Sequence, residues 1–223
     1  MTDIVNITEK QIVVTLEPEN ETEYLQLLND YFTASERNSR VSSIHEKKQL
    51  MAIKEQMALL CNQNTQKLNK LKSIIREVSE RREKTIVIAK SNAVASLLFD
   101  KLSADEDIKG VLMITAQLSI HAANEMIERF NKIPESTVLL ITDGVNTSLD
   151  LTAANHLVHY DYPARFSDIL QRNNRISRQT SYHKEATIYY LLTSGKIDEF
   201  EYRECRNPNE STAGQRITQR PTI

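Results

Sequence analysis

From Lys84 to Leu192 the chain alternates short, continuously apolar runs with stretches whose apolar residues recur at helical spacing, which leaves few folds open to it. The runs are Thr85-Ile86-Val87-Ile88-Ala89, Val111-Leu112-Met113-Ile114, Val138-Leu139-Leu140-Ile141, Leu157-Val158-His159-Tyr160 and Thr187-Ile188-Tyr189-Tyr190-Leu191-Leu192. Between them, Asn92 to Leu102 carries Val94, Leu97, Leu98 and Leu102 on one helical face, and Ala122 to Phe130 forms the next helix. Strands that are apolar on both faces must be covered on both sides. The predicted fold class is therefore α/β, a doubly wound parallel sheet with helices on both faces. Such sheets hold ligands beyond the carboxyl ends of their strands, here Ala89-Lys90-Ser91, Thr142-Asp143-Gly144 and Asp161-Tyr162-Pro163.

Upstream lies a different pattern. Ile12-Val13-Val14-Thr15-Leu16 reads as a strand, ended by Pro18 and Asn20. Glu21 to Phe32, with Tyr24, Leu27, Leu28 and Tyr31, reads as a helix, as does Ser43 to Cys61. A third helix carries the apolar stripe Leu68, Leu71, Ile75 and Val78. The expected organisation is an amino-terminal strand and helical region over 1–82, an α/β lobe over 83–204, and a disordered tail over 205–223, where apolar residues are few.

Composition limits the setting. Of 223 residues 40% are hydrophobic, the net charge is -2, and no apolar run approaches the roughly 18 residues of a membrane span, so a soluble chain without membrane contact is expected. The opening Met1-Thr2-Asp3-Ile4-Val5-Asn6 lacks the basic and apolar regions of a secretory signal. Cys61 and Cys205 stand far apart without metal-ligand spacing, which fits a reducing compartment. The expected location is the cytoplasm, nucleoid or nucleus. Near-neutral charge excludes binding nucleic acid by bulk electrostatics, but leaves a local groove. From Arg165 to Lys184 five Lys or Arg face one acidic residue, Asp168.

That basic segment contains Gln171-Arg172-Asn173-Asn174-Arg175-Ile176-Ser177-Arg178. Arginines three apart share a face if the segment is a helical turn, and their rigid, permanently charged forks suit a phosphate chain. A solvated basic face is the alternative at this level. The chain has no phosphate loop of its own. It holds four glycines; Gly195-Lys196 is followed by Ile197, and Tyr190 stands where the first loop glycine belongs. Asp143 at the end of Val138 to Thr142 resembles a magnesium-holding aspartate, but magnesium there needs phosphate ligands too. His45, His121, His156, His159 and His183 show no zinc spacing, His156 and His159 read as structural, and no metal residue is assigned. No nucleophile elbow is present.

Taken in order, Thr142-Asp143, Ser148-Leu149-Asp150-Leu151, Asn155, Tyr160-Asp161, Pro163 and the Gln-Arg-x-x-Arg-x-x-Arg run resemble motifs V and VI of the Swi/Snf family of helicase-like ATPases. Lys84 to Leu102 is similar to the motif IV strand and helix, and Leu16 to Leu28 to the segment entering the helical region, so the resemblance covers roughly residues 10 to 202. It implies a RecA-like sheet preceded by a helical subdomain: the second lobe of a motor whose first lobe, in the same or a separate chain, brings the phosphate loop and holds most of the ATP and magnesium. It further implies arginine fingers at Arg175 and Arg178, ATP contacts from Gln171, Ser148 and Asp150, and double-stranded DNA backbone contacts from Lys90, Ser91, Gln117, Ser119 and Thr142.

The sequence departs from the family wording at Ser148, Asp150 and Asn174, where glycine, asparagine and glycine are usual, and at Ala164-Arg165 and Thr180-Ser181. A carboxylate at 150 near a triphosphate adds repulsion and weakens ATP coupling. Serine or asparagine at a glycine site is tolerated where φ is negative, or αL for asparagine. The leading expectation is a motor lobe of an ATP-dependent DNA translocase or helicase, inactive alone. Its rivals are a helicase-derived, non-enzymatic lobe that regulates a motor or binds nucleic acid, and an unrelated α/β nucleotide-binding enzyme.

Overall fold

A computed structural model describes residues 5–38, 43–134, 137–145, 151–163, 165–176 and 183–206. In chain order the elements are β1 (Asn6–Val14), α1 (Pro18–Asn38), α2 (Ile44–Gln63), α3 (Thr65–Glu80), β2 (Thr85–Ala89), α4 (Asn92–Ser103), β3 (Val111–Ile114), α5 (Ile120–Lys132), β4 (Val138–Thr142), β5 (His156–His159), α6 (Phe166–Asn173), β6 (Glu185–Thr193) and α7 (Ile197–Arg206). The strands form a six-stranded sheet in the order β1-β6-β5-β2-β4-β3. Every pairing is parallel.

The continuous apolar runs do what their composition requires. All five residues of β2 and all five of β4 are buried, since helices cover both sheet faces. One face packs on α3 and α4 through Leu71, Ile75, Val78, Val94, Leu98 and Leu102. The other packs on α5, α6 and α7 through Ile127, Phe130, Ile169, Tyr202 and Cys205. A third, smaller core of Leu16, Tyr24, Met57, Leu60, Cys61 and Ile197 seats α1 and α2 against the start of α7.

Two elements placed by sequence in the amino-terminal region thus belong physically to the sheet lobe. β1 runs from Asn6 to Val14, earlier than the Ile12 to Leu16 expected, and bonds along its length to β6. The helix α3 lays its stripe on the sheet beside α4, so the core continues across the expected boundary at 82/83. At the other end, α7 was not foreseen: its sequence, Ile197-Asp198-Glu199-Phe200-Glu201-Tyr202-Arg203-Glu204-Cys205-Arg206, is polar apart from the single face it buries. The tail expected from 205 overlaps this helix by two residues, and 207–223 lie outside the described residues.

Helix ends are set by side chains at the positions that physics favours. Ser43 and Glu46 form a reciprocal capping box on α2. Asn64 ends α2 and starts α3: its Oδ1 accepts from the Gln66 N–H at 2.9 Å, while its Nδ2 donates to the Thr15 carbonyl at 2.8 Å. Glu17 accepts from the Thr65 N–H at 2.6 Å. The α2–α3 turn is thereby tied to the segment leaving β1.

A buried ion pair joins the helical region to the sheet. Lys67 of α3, 0% exposed, sits 2.7 Å from Asp198 of α7, with its ammonium 4.8 Å from the Tyr160 ring centre. Asp198 also accepts from the Thr193 N–H and hydroxyl, at 3.0 and 2.9 Å, so the buried carboxylate is fully engaged.

Because α3 fills one sheet face, Leu71→Ala should lower unfolding free energy by about 2–5 kcal/mol, measured by urea denaturation. A loss of a few tenths would show that α3 is an appendage rather than core.

Candidate functional site

The carboxyl ends of β2, β4 and β5 meet where parallel strands place ligands. The backbone ties the three exits together: the Asp143 N–H donates to the Ala89 carbonyl at 3.1 Å, and the Tyr160 N–H to the Ile88 carbonyl at 3.1 Å. Asp161 accepts from the Lys90 N–H at 2.6 Å. Gly144, at φ +83°, turns the chain after β4 through a conformation that side chains with a Cβ rarely adopt.

Arg172, in the last turn of α6, is the hub. Only 3% exposed, it grips Asp143 with two parallel bonds, Nε to Oδ1 at 2.8 Å and Nη2 to Oδ2 at 2.5 Å. Its Nη1 donates to the Asp161 carbonyl at 2.6 Å. Planar two-point pairing of this kind fixes direction as well as distance. One guanidinium therefore holds the β4 exit, the β5 exit and α6 in a single arrangement. Three residues on, Arg175 is 6% exposed, and its Nη2 donates to the Val145 carbonyl at 3.1 Å. Arg172 and Arg175 thus divide the work: the first locks the scaffold, and the second lies against the turn after Gly144.

Electrostatics follow burial. Desolvation pushes the Asp161 carboxyl upward, opposed by Arg172, Lys67 and the Lys90 N–H. Burial, reinforced by Arg172, pushes the fully buried His159 down to about 3, so its ring is neutral. His159 lies between Arg172 and Asn173, with ring nitrogens 3.4 Å from Arg172 Nη1 and 2.7 Å from Asn173 Oδ1.

Each expected site residue has a definite place, or falls outside the described set. Arg178, Ser148 and Asp150 lie outside it. Gln171 is exposed on the last turn of α6. Lys90 is exposed at the β2 exit, with Nζ 3.8 Å from Glu201. Ser91 caps α4, accepting from the Val94 N–H at 3.3 Å. Ser119 caps α5, accepting from the Ala122 N–H at 3.2 Å, just after the exposed Gln117. Both serines thus have a local structural task while lying at helix amino ends, where backbone N–H groups suit anions. Thr142 corrects an expectation: at 2% exposure, closing β4, it is not a surface group. Asn174 answers another question: its φ of -63° is ordinary, so asparagine costs nothing at that glycine site.

In the sequence Arg172 reads as one of the forks suited to phosphate, whereas the structure turns it inward onto Asp143, Asp161 and His159. The only local signal was a histidine immediately before Tyr160-Asp161, with two asparagines between the arginines.

Residues 66–180 match the helicase conserved C-terminal domain family. YwqA of Bacillus subtilis (strain 168), whose name places it among ATP-dependent helicase/translocases, is 25% identical over 207 residues, covering 86% of this chain and 22% of YwqA. The chromatin-remodeling ATPase INO80 of Mycosarcoma maydis is 25% identical over 151 residues, 66% of this chain and 8% of INO80. The chain therefore spans about a fifth of the first relative and less of the second. In fold, it matches the Sulfolobus solfataricus SWI2/SNF2 ATPase core in complex with dsDNA with a TM-score of 0.77 at 15% identity, over 92% of this chain and 45% of that one. It also matches the C-terminal part of the Fun30 ATPase domain with a TM-score of 0.72 at 13% identity, over 91% and 90%.

The neutral, buried state of His159 carries a pH dependence. Its pKa in the fold, about 3, lies below its ordinary 6.5, so its contribution is complete above pH 6.5 and is lost as pH falls from there. His156, also lowered mainly by burial, has the same sign. Denaturation at pH 7, 6 and 5 should show stability falling, and His159→Phe should reduce that slope by up to about 1.4 kcal/mol per pH unit. An unchanged slope would mean that His159 is charged in the fold.

The order of the run from Thr142 to Arg175, the parallel sheet and the match over residues 66–180 agree: the chain belongs to the helicase conserved C-terminal domain family.

Proposed function

We propose that this chain is the second motor lobe of a Swi/Snf-like ATP-dependent DNA translocase or helicase, and that it contributes charge stabilisation and DNA-backbone contacts rather than a complete ATP site. One observation carries this reading. The grip of Arg172 on Asp143 and Asp161 holds the turn bearing Arg175 at the carboxyl ends of the sheet, where a phosphate presented by another lobe would meet it.

The residues fit half of an ATP site. Guanidinium groups can neutralise charge developing on a transferred phosphoryl group, the task of Arg175 and Arg178, with Gln171, Ser148 and Asp150 as further ATP contacts. ATP, with magnesium held mainly by the first lobe, supplies the phosphoryl chemistry. In this chain no phosphate loop accompanies the arginines, so the partner is a first RecA-like lobe, in the same or another polypeptide. Double-stranded DNA is the proposed track. Lys90, Ser91, Gln117 and Ser119 are exposed around the strand exits, and the amino ends of α4 and α5 favour phosphate there. Thr142 acts beneath that surface by shaping the β4 exit. The non-enzymatic alternative draws on Ser148 and Asp150; Asn174, with its ordinary φ, gives it no support.

The isolated chain should hydrolyse no ATP. With a matching first lobe and duplex DNA, hydrolysis should appear, and Arg175→Ala or Arg178→Ala should lower kcat by on the order of a thousandfold or more. Wild-type turnover in both variants would sink the finger role. A complex that forms but never turns over would favour the regulatory reading.

Lys90→Ala should weaken duplex binding for all sequences alike and reduce the slope of log affinity against log salt by about 1. An unaltered slope in a salt titration would remove Lys90 from the DNA path.

A further inference from the structure

We propose that His159 is a positioning residue: through a one-way chain of hydrogen bonds ending on strand β1, its imidazole fixes the turn that carries Arg175. The ring is fully buried, stacked on Tyr190 with centres 4.9 Å apart and planes at 17°, and nearly parallel to Tyr162 at 6.4 Å. Its two nitrogens face consecutive residues of α6, Nδ1 toward Arg172 Nη1 at 3.4 Å and Nε2 toward Asn173 Oδ1 at 2.7 Å.

The chemistry of the first contact orders the rest. A guanidinium only donates, so Nδ1 accepts and the ring proton sits on Nε2, donated to Asn173 Oδ1. Asn173 Nδ2 then donates to the Tyr190 hydroxyl at 3.1 Å, and that hydroxyl donates to Glu9 Oε1 at 3.1 Å. Arg206 closes the far end on the two Glu9 oxygens at 3.2 and 2.6 Å. The chain thus begins at a cation and ends at a carboxylate, with each neutral group between them passing one proton donor forward. Bonds aligned in this way polarise and reinforce one another in a dry interior.

The consequence is mechanical. Arg172 and Asn173 are gripped by one rigid ring, itself carried at the end of β5 and stacked on Tyr190 of β6, so the last turn of α6 cannot rotate without breaking both bonds. If His159 merely filled space, phenylalanine would serve as well. Its polar edges are what make the placement of the following turn depend on β1.

The effect on hydrolysis rests on the proposed role of Arg175; the positional claim does not. The test compares the full chain with His159→Phe, which keeps the stacked ring and strips both polar edges, and His159→Gln, whose amide can accept from Arg172 and donate to Asn173. With arginine side chains labelled with nitrogen-15, His159→Phe should shift or broaden the Nε–H resonances of Arg172 and Arg175, and His159→Gln should bring them back toward wild type. In the motor reconstituted with a first lobe, His159→Phe should lower kcat by about tenfold to a hundredfold with little change in KM for ATP, and His159→Gln should recover most of it. An Arg175 resonance unmoved in folded His159→Phe overturns the inference, whatever the turnover. Resonances that move and recover, while Arg175→Ala hydrolyses normally, uphold the positioning and sink the finger role instead. Should His159→Phe not fold, histidine-labelled wild type still decides: a neutral ring protonated on Nε2 at pH 7 is expected, and an Nδ1–H or charged ring overturns the proposal.

Discussion

The guanidinium of Arg172 is the interaction on which the upper end of this lobe depends. Strand exits in a parallel sheet have few mutual hydrogen bonds of their own, and here the backbone supplies one from Asp143 to Ala89 and one from Tyr160 to Ile88. Arg172 satisfies the Asp143 carboxylate and the Asp161 carbonyl at once. In a buried setting such a group must be completely partnered, since an uncompensated charge there costs several kcal/mol. That demand makes the arrangement all-or-none: the exits and α6 are together, or the charge is stranded.

A second buried charge performs a similar service lower in the molecule. Lys67 and Asp198 meet under the Tyr160 ring and pin α3 to α7, with Thr193 at the end of β6 completing the carboxylate's partners. Tyr160 immediately precedes Asp161, so the two charged hubs are joined through a single step of backbone. The helical region and the strand-exit site are consequently linked through this step, despite the sequence distance between them.

Much of the fold was legible because sheet strands buried on both faces must be continuously apolar. β2, β3 and β4 could be read from their composition, to within one residue at β4. β1 was harder: as an edge strand it alternates Thr8, Glu9, Lys10 and Gln11, mostly exposed, and only its last residues looked like a strand. α7 is hard to read because its apolar residues, Ile197, Phe200, Tyr202 and Cys205, are interleaved with charges, one of which, Asp198, is itself buried. In the site, spacing identified the arginine run but could not divide its labour. That Arg172 turns inward and Arg175 lies against the next loop depends on where α6 is laid, a tertiary matter. Nor could it show that Thr142 is covered, or that Asn174 sits at an ordinary φ. His159 looked like a strand-flanking core residue, and only the facing pair Arg172 and Asn173 reveals that its nitrogens are used.

The pairing of β1 with β6 sets an order on folding. Glu9 meets Tyr190 and Arg206 across 181 and 197 positions of chain, and among the described residues β6 is the only strand beside β1. On a ribosome, β1 emerges before the other described strands of this sheet and has no sheet to join until β6 has been made, whereas β2, β3, β4 and β5 can collapse on α4 and α5 well before that. Contacts this distant in sequence form late and slowly. The edge is therefore a closing seam: the strand earliest in this sheet's sequence is among the last to be seated, and the arginine turn gains its final tether only when the seam is shut.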